Sequence, residues 1–172
     1  MKRWLVCAFA AVFLLVGGCA ATADAPQPPT TDGFSCRVTA DYDGLAFVGD
    51  LRRETGKSLT LTVTDPATLS GLTLAWDGKS LTAAMHGITA TVDANSIPQA
   101  AVMPLLLNVL DTAAKLTDGG EKTADGLSFS GEWDGYQYTL VSDPETGNLI
   151  SLTVPSAPLT LTFSNFHPLS PS

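Results

Sequence analysis

From Ser35 onward the chain alternates apolar and polar residues at a period of two. Leu59, Leu61 and Val63 alternate with Thr60, Thr62 and Thr64. Leu72, Leu74 and Trp76 continue the pattern, then Leu81, Ala83 and Met85, then Ile88, Ala90 and Val92. Successive side chains of a strand point to opposite faces, so this pattern predicts strands with one buried and one wet face. After an interruption it resumes. Leu127, Phe129 and Trp133 share a face, Tyr136, Tyr138 and Leu140 lie two apart, and Leu159, Leu161 and Phe163 alternate with Thr160, Thr162 and Ser164. Threonine suits the wet face because its branched side chain packs on a pleated surface.

The connections are short. Asp43-Gly44, Asp77-Gly78 and Asp134-Gly135 each sit between two alternating runs, where an Asp-Gly pair supplies the positive φ of a tight hairpin. Asp65-Pro66-Ala67-Thr68 and Asp143-Pro144-Glu145-Thr146 end strands in a second style, with Asp capping and Pro presetting φ. The sum is a meander of about ten antiparallel strands.

The interruption runs from Ile97 to Leu116. Pro104 stands where a second helical segment could start, and Leu105, Leu106, Leu107, Val109, Leu110, Ala113 and Leu116 follow. Apolar side chains occupy nearly the whole circumference, so this helix must be buried against something concave, and a curved sheet is the available partner. Asp118 to Ala124 reads as a charged loop. The expected fold class is α+β, mostly antiparallel β: a curved half-barrel meander with one long helical insertion on its concave face.

The N-terminus has a different character. Met1-Lys2-Arg3 is cationic, Trp4 to Val16 is apolar, and Gly17-Gly18-Cys19 follows. The run falls short of the roughly 20 apolar residues a bilayer span needs, and its flanks are those of a cleaved secretion signal. The cysteine after two small residues marks residues 1–18 as a lipoprotein signal and Cys19 as the lipidated residue of an extracytoplasmic protein anchored to a bacterial membrane; an ordinary signal cleaved near Ala20-Ala21 is the alternative. Residues 19–33, with Pro26, Pro28 and Pro29, then form a flexible linker, 34–166 a single domain and 167–172 a tail.

The net charge is −8, and losing Lys2 and Arg3 with the signal makes the mature chain more acidic still. Such a surface disfavours nucleic acid, and it would be repelled by anionic lipid beyond the anchor. Of three cysteines, Cys7 leaves with the signal and Cys19 carries lipid. Cys36 remains, either as a buried apolar residue, the commoner fate, or as the link of a disulfide-bonded homodimer.

The order of elements, with a helix entering after the sixth strand of a curved meander, resembles the bacterial lipoprotein-carrier superfamily of the LolA and LolB type over Phe34 to Phe166. Leu59–Thr64, Asp65-Pro66, Leu72–Trp76 and Asp77-Gly78-Lys79-Ser80-Leu81 match its strand, proline turn, strand and Asp-Gly hairpin, and Tyr138 to Leu149 looks like its final hairpin. Where carriers have an Arg-Pro-Gly segment, this chain has Leu51-Arg52-Arg53-Glu54-Thr55-Gly56. The layout is closest to the lipid-anchored, GerS-like germination lipoproteins of spore formers. The resemblance implies binding of an acyl chain or of an envelope protein partner, by a stationary receiver or scaffold rather than a shuttle.

Catalytic constellations are sparse. His86, on the polar side of its strand, and His167, before Pro168, read as surface histidines, and no His or Cys spacing suits zinc. Asp41-Tyr42-Asp43-Gly44 lacks the later ligands of a calcium loop. Ser128 and Ser130 do not form a nucleophile elbow, and Arg52-Arg53 beside Glu54 reads as a solvated strand end. No cofactor or metal is expected. Trp76, Met85, Leu106, Leu110, Phe129, Trp133 and Phe163 could line an apolar cavity between helix and sheet; a filled core is the plainer reading of the same residues. The expected function is a non-enzymatic binding or scaffold module in the cell envelope. A lipoprotein-transfer receptor is the first alternative. An envelope lipid- or wall-modifying enzyme, which would need acids such as Asp41 and Asp43 to converge in a cleft, is the second.

Overall fold

The computed structural model describes residues 26–56, 58–116 and 120–169. Cys7, Cys19 and the whole signal lie outside the described residues. Among these residues eleven strands form one antiparallel sheet. The first half holds β1 (Phe34–Tyr42), β2 (Leu45–Arg53), β3 (Leu59–Asp65), β4 (Thr73–Trp76), β5 (Ser80–Met85) and β6 (Ile88–Asp93). A 3₁₀ turn at Ala94–Ser96 and the helix α1 (Val102–Ala113) follow. The second half holds β7 (Glu121–Thr123), β8 (Gly126–Trp133), β9 (Tyr136–Ser142), β10 (Leu149–Val154) and β11 (Leu159–Pro168).

The strand order, β6-β5-β4-β3-β2-β1-β11-β10-β9-β8-β7, is two meanders joined where β1 pairs with β11. Within each meander every strand neighbours the next in sequence, and among the described residues the two free edges are β6 and β7. The chain between those edges carries α1 across the inner face, nearest β8 and β4. The α+β half-barrel expectation holds, with a helix where further strands would be needed to close the barrel.

The alternation places side chains as expected. Phe34, Cys36, Val38 and Ala40 of β1 point inward and are buried, while Arg37 and Thr39 between them are exposed. On β3, Leu59, Leu61 and Val63 face the core. Helix α1 buries Met103, Pro104, Leu105, Leu106, Leu107, Val109, Leu110 and Ala113. Each wholly buried leucine contributes about 1.5–3 kcal/mol relative to exposure. Pro104 lies within the first turn rather than at the start of a second helix, a place where its missing N–H has no intrahelical partner to lose.

Asp43-Gly44 and Asp134-Gly135 have positive φ at both residues (52° and 80°; 49° and 80°), as a two-residue hairpin requires. Asp77-Gly78 works differently. Only Gly78 has positive φ, and Asp77 Oδ1 accepts from the N–H groups of Lys79 (2.8 Å) and Ser80 (2.7 Å). A third tight hairpin, unanticipated, is made by His86-Gly87 (φ 51° and 82°). His86 is thus a turn residue and not on the polar face of a strand.

The segment expected as a charged loop contains β7, whose Glu121, Lys122 and Thr123 pair with Ser128, Leu127 and Gly126 of β8. Its three exposed residues bury nothing, so periodicity could not reveal it. At the other end β11 runs on to Pro168, two residues into the expected tail, with Ser35 opposite His167 and Phe34 opposite Pro168. A register shift between Ser35 and Arg37, opposite Asn165 at φ 50°, turns Phe166 inward to stack on Phe34 (centroids 4.6 Å apart). The end of the linker is also fixed to the fold: Gln27 N–H donates to Pro144 O (3.0 Å) and Thr30 N–H to Gly147 O (2.7 Å).

Candidate functional site

The expected cavity would lie between α1 and the sheet. Helix α1 is tied across this space at both ends by side chains of the first two strands. Tyr42 Oη donates to Ala100 O (3.1 Å), just before the helix. Near its C-terminal end Arg53 Nη2 donates to Asp111 Oδ1, and Nη1 lies 3.4 Å from Leu107 O. Arg53 points inward as the last residue of β2 and is 3% exposed. Asp32 Oδ1 stands 3.7 Å from its Nε. This corrects the expectation of a solvated Arg52-Arg53 pair: only Arg52, bonded to Glu54 at 3.1 Å, is solvated. Strand alternation sends the two arginines to opposite faces.

Between α1 and the ends of β4 and β8 lies a cleft of about 250 Å³. Trp76 and Trp133 line it, with Pro104, Leu107, Asn108 and Asp111 from successive turns of α1 and Asn95 and Gln99 from the preceding segment. Trp133 stacks on Tyr136, centroids 6.3 Å apart. Asn108 Nδ2 donates to Pro104 O (2.7 Å) within the helix, which leaves its carbonyl oxygen available. The single charged wall residue, Asp111, is neutralised by Arg53.

The seven residues expected around a cavity divide. Trp76 and Trp133 meet at this cleft. Phe129 borders a separate depression of about 230 Å³ with Leu116 and Gly120. Leu106, Leu110 and Phe163 are packed in the continuous core, and Met85 lies half-buried on β5. The polar wall of Asn95, Gln99, Asn108 and Asp111 was missed, as was Arg53, because a residue's position within a helix or strand end carries no sign of what it meets across the fold.

The remaining chemistry-bearing residues lie elsewhere. Cys36 is 4% exposed, and burial first and the charge of Asp50 second push its thiol up to about 12. The structure thus places it as a core residue; a disulfide to a second chain would need β1 to open. Asp41 Oδ1 accepts from Gly44 N–H (3.1 Å) and Asp43 occupies the same turn, outside the helix cleft. His167 joins Ser35, Arg37, Asp50, Arg52 and Asn165 around a polar groove of about 480 Å³ on the outer face of the sheet. Among the described residues no group of three or more His, Cys, Asp or Glu is placed to hold a metal ion, and no helix is long and apolar enough to cross a membrane.

No family model matches the chain, and no curated protein matches it. Among solved structures it is similar to an uncharacterized conserved protein from Thermus thermophilus, at 9% identity over 83% of this chain and 82% of that one, with a TM-score of 0.49. It is also similar to a LolA superfamily protein from Nitrosomonas europaea, at 10% identity over 86% of this chain and 91% of that one, with a TM-score of 0.39.

Proposed function

We propose that this protein is a non-enzymatic binding module of the cell envelope, anchored through lipid on Cys19, that holds an envelope protein partner. The observation that carries this reading is the way α1 fills the sheet's concave face. Leu105, Leu106, Val109 and Leu110 are 0–1% exposed, and the cleft that remains, about 250 Å³, is smaller than the roughly 300–1,000 Å³ of ordinary ligand pockets. Recognition therefore falls to the surface. The resemblance of its sequence layout to the GerS-like germination lipoproteins favours a partner met during sporulation or germination.

A second reading is favoured by the pair of tryptophans at the cleft. An acyl chain entering beside Trp76 and Trp133 would have to lift α1 off the sheet, and the protein would then act as a lipoprotein-transfer receptor. One experiment separates the two. Trp76 and Trp133 are the only tryptophans of the chain after the signal, so intrinsic fluorescence of a Cys19→Ser form starting at residue 19 reports on this cleft alone. The partner reading predicts an unchanged spectrum on titration with fatty acid and a clean apo mass in native mass spectrometry. A saturable spectral shift with co-purifying acyl species would replace it by the acyl reading. Palmitate labelling that persists in full-length Cys19→Ala would overturn the anchor.

A further inference from the structure

The two free edges of the sheet are built unlike each other. β7 is three residues long with Glu121 and Lys122 on it, the charged, short form in which an edge avoids pairing with other chains. β6 has none of these protections. Its six residues, Ile88-Thr89-Ala90-Thr91-Val92-Asp93, are all exposed, and they are β-branched or small and uncharged up to Asp93. Ile88 is 76% exposed and Val92 45%. Both lie opposite inward-facing residues of β5, Met85 and Leu81, so they extend the concave apolar face past the end of α1's cover.

We propose that β6 pairs antiparallel with β6 of a second copy of this chain about a two-fold axis at Ala90. The register follows from the hairpin. Ala94 N–H donates to Lys79 O, and alternation from that bond makes Leu81–Val92, Ala83–Ala90 and Met85–Ile88 the hydrogen-bonded pairs of β5 and β6. The amides of Thr89 and Thr91 consequently point out from the edge. Placing Ala90 opposite Ala90 of the second copy brings Thr89 opposite its Thr91, so these outward groups exchange hydrogen bonds twice.

The same register sets Ile88 beside Val92 of the second copy on the inner face, again twice, and covers both exposed side chains. On the outer face the threonine pairing already made by Thr82 and Thr91 (3.0 Å) continues across the axis. The apolar-Thr-Ala-Thr-apolar order reads the same in both directions, which a two-fold interface requires and a foreign strand does not.

Charge agrees. No charged residue lies between Ile88 and Val92 in a chain of net charge −8, and Asp93 of each copy falls opposite Gly87, beside His86, of the other rather than opposite its own twin. The area is modest: one six-residue edge from each copy falls in the small class of weak contacts, below about 1,200 Å² in total. The dimer is therefore weak and sensitive to concentration, and the dimer contact is β6 rather than Cys36.

The test is cysteine cross-linking of the full-length chain in membranes of the expressing cell, with copper–phenanthroline as oxidant. A non-hydrogen-bonded antiparallel pair sets its Cα atoms about 4.5 Å apart, within disulfide reach. Ala90→Cys should give a reducible band at the homodimer mass, absent from the unsubstituted chain, while Thr89→Cys and Thr91→Cys, each facing the other position, give little. Adding Thr91→Pro, which removes only an outward N–H, to the Ala90→Cys chain should abolish its dimer band. Thr89→Lys should do the same if proline disturbs the strand. Equal cross-linking at 89, 90 and 91, an Ala90→Cys dimer band indifferent to both added substitutions, or an adduct of another protein's mass would each overturn the proposal.

Discussion

Arg53 of β2 donates to Asp111 of α1 across the concave face, and it is the one charged side chain among the described residues that the fold buries outright. An arginine in that position is costly to desolvate and is tolerated because Asp111, the carbonyls of Leu107 and Gly56, and Asp32 surround it. It links three separate parts of the chain: the strand end, the helix and the last linker residues.

Removing one partner leaves a buried charge without its counter-ion, so Arg53→Ala and Asp111→Ala should each lower stability by roughly 3 kcal/mol, the low end for such pairs because Asp111 is partly solvated. Arg53→Met with Asp111→Leu should recover most of the loss. Urea unfolding of Arg53→Ala, Asp111→Ala and the variant carrying both alanines measures the coupling directly. Additive losses would mean that the pair contributes nothing as a pair.

Most of the sheet was legible in the sequence because burying one face imposes period two on every strand that touches the core. Where that pressure is absent, legibility fails. β7 buries nothing and shows no period, and the His86-Gly87 hairpin uses a residue with no turn preference strong enough to stand out. The helix cleft was half legible. Trp76 and Trp133 are large apolar residues that had to meet something inside, whereas Asn95, Gln99 and Asn108 are polar and gave no reason to be placed there. Arg53 was hidden for the same reason in reverse: beside Arg52 and Glu54 it looks like any solvated charge, and only the parity of β2 turns it inward.

Gly126 opens β8 at φ 141°, and a Cβ there would come within 2.5 Å of Ser142 O, a backbone atom with nowhere to retreat. Overpacking of this kind costs about 1–3 kcal/mol, and the strained φ adds roughly another 1 kcal/mol. Gly126→Ala should lower the urea midpoint accordingly and loosen β7, which pairs only through β8. Gly44→Ala, at a turn with open space around it, is the control and should lose no more than the cost of its φ.

Cys36 should be inert while the protein is folded. With its thiol pushed up to about 12 by burial and then by Asp50, almost no thiolate exists at pH 8, so an aromatic disulfide reagent should react slowly in buffer and fast in urea. The linkage has a definite sign. Below the ordinary value of 9.0 the thiol is protonated in both states and stability is unaffected; above it the unfolded chain ionises first, and stability falls as pH rises from 9 toward 12. Cys36→Ala should remove that alkaline slope. Fast labelling of the folded protein at pH 8 would show β1 opening on its own.

Asp143 organises the turn on which the linker rests. Its Oδ1 accepts from the N–H groups of Thr146 (2.8 Å) and Glu145 (2.9 Å) and from Thr146 Oγ1 (3.0 Å), and these bonds, the Thr146 N–H foremost, hold its carboxyl below the usual 3.8. The turn in turn presents Pro144 O and Gly147 O to Gln27 and Thr30. A depressed carboxylate supports the folded turn above its ordinary value and loses that support as pH falls through the lowered one, so the linker contact should be constant from neutral pH to about 4 and weaken below it. Asp143→Ala should reproduce the acid effect at neutral pH: faster amide exchange at Gln27 and Thr30 and earlier proteolysis near residue 30, with the amides of β3 to β6 unchanged. Asp143→Asn keeps an oxygen acceptor without the charge and should fall between the two. If exchange at Gln27 and Thr30 is the same in all three proteins, the linker is held by its prolines and not by this turn.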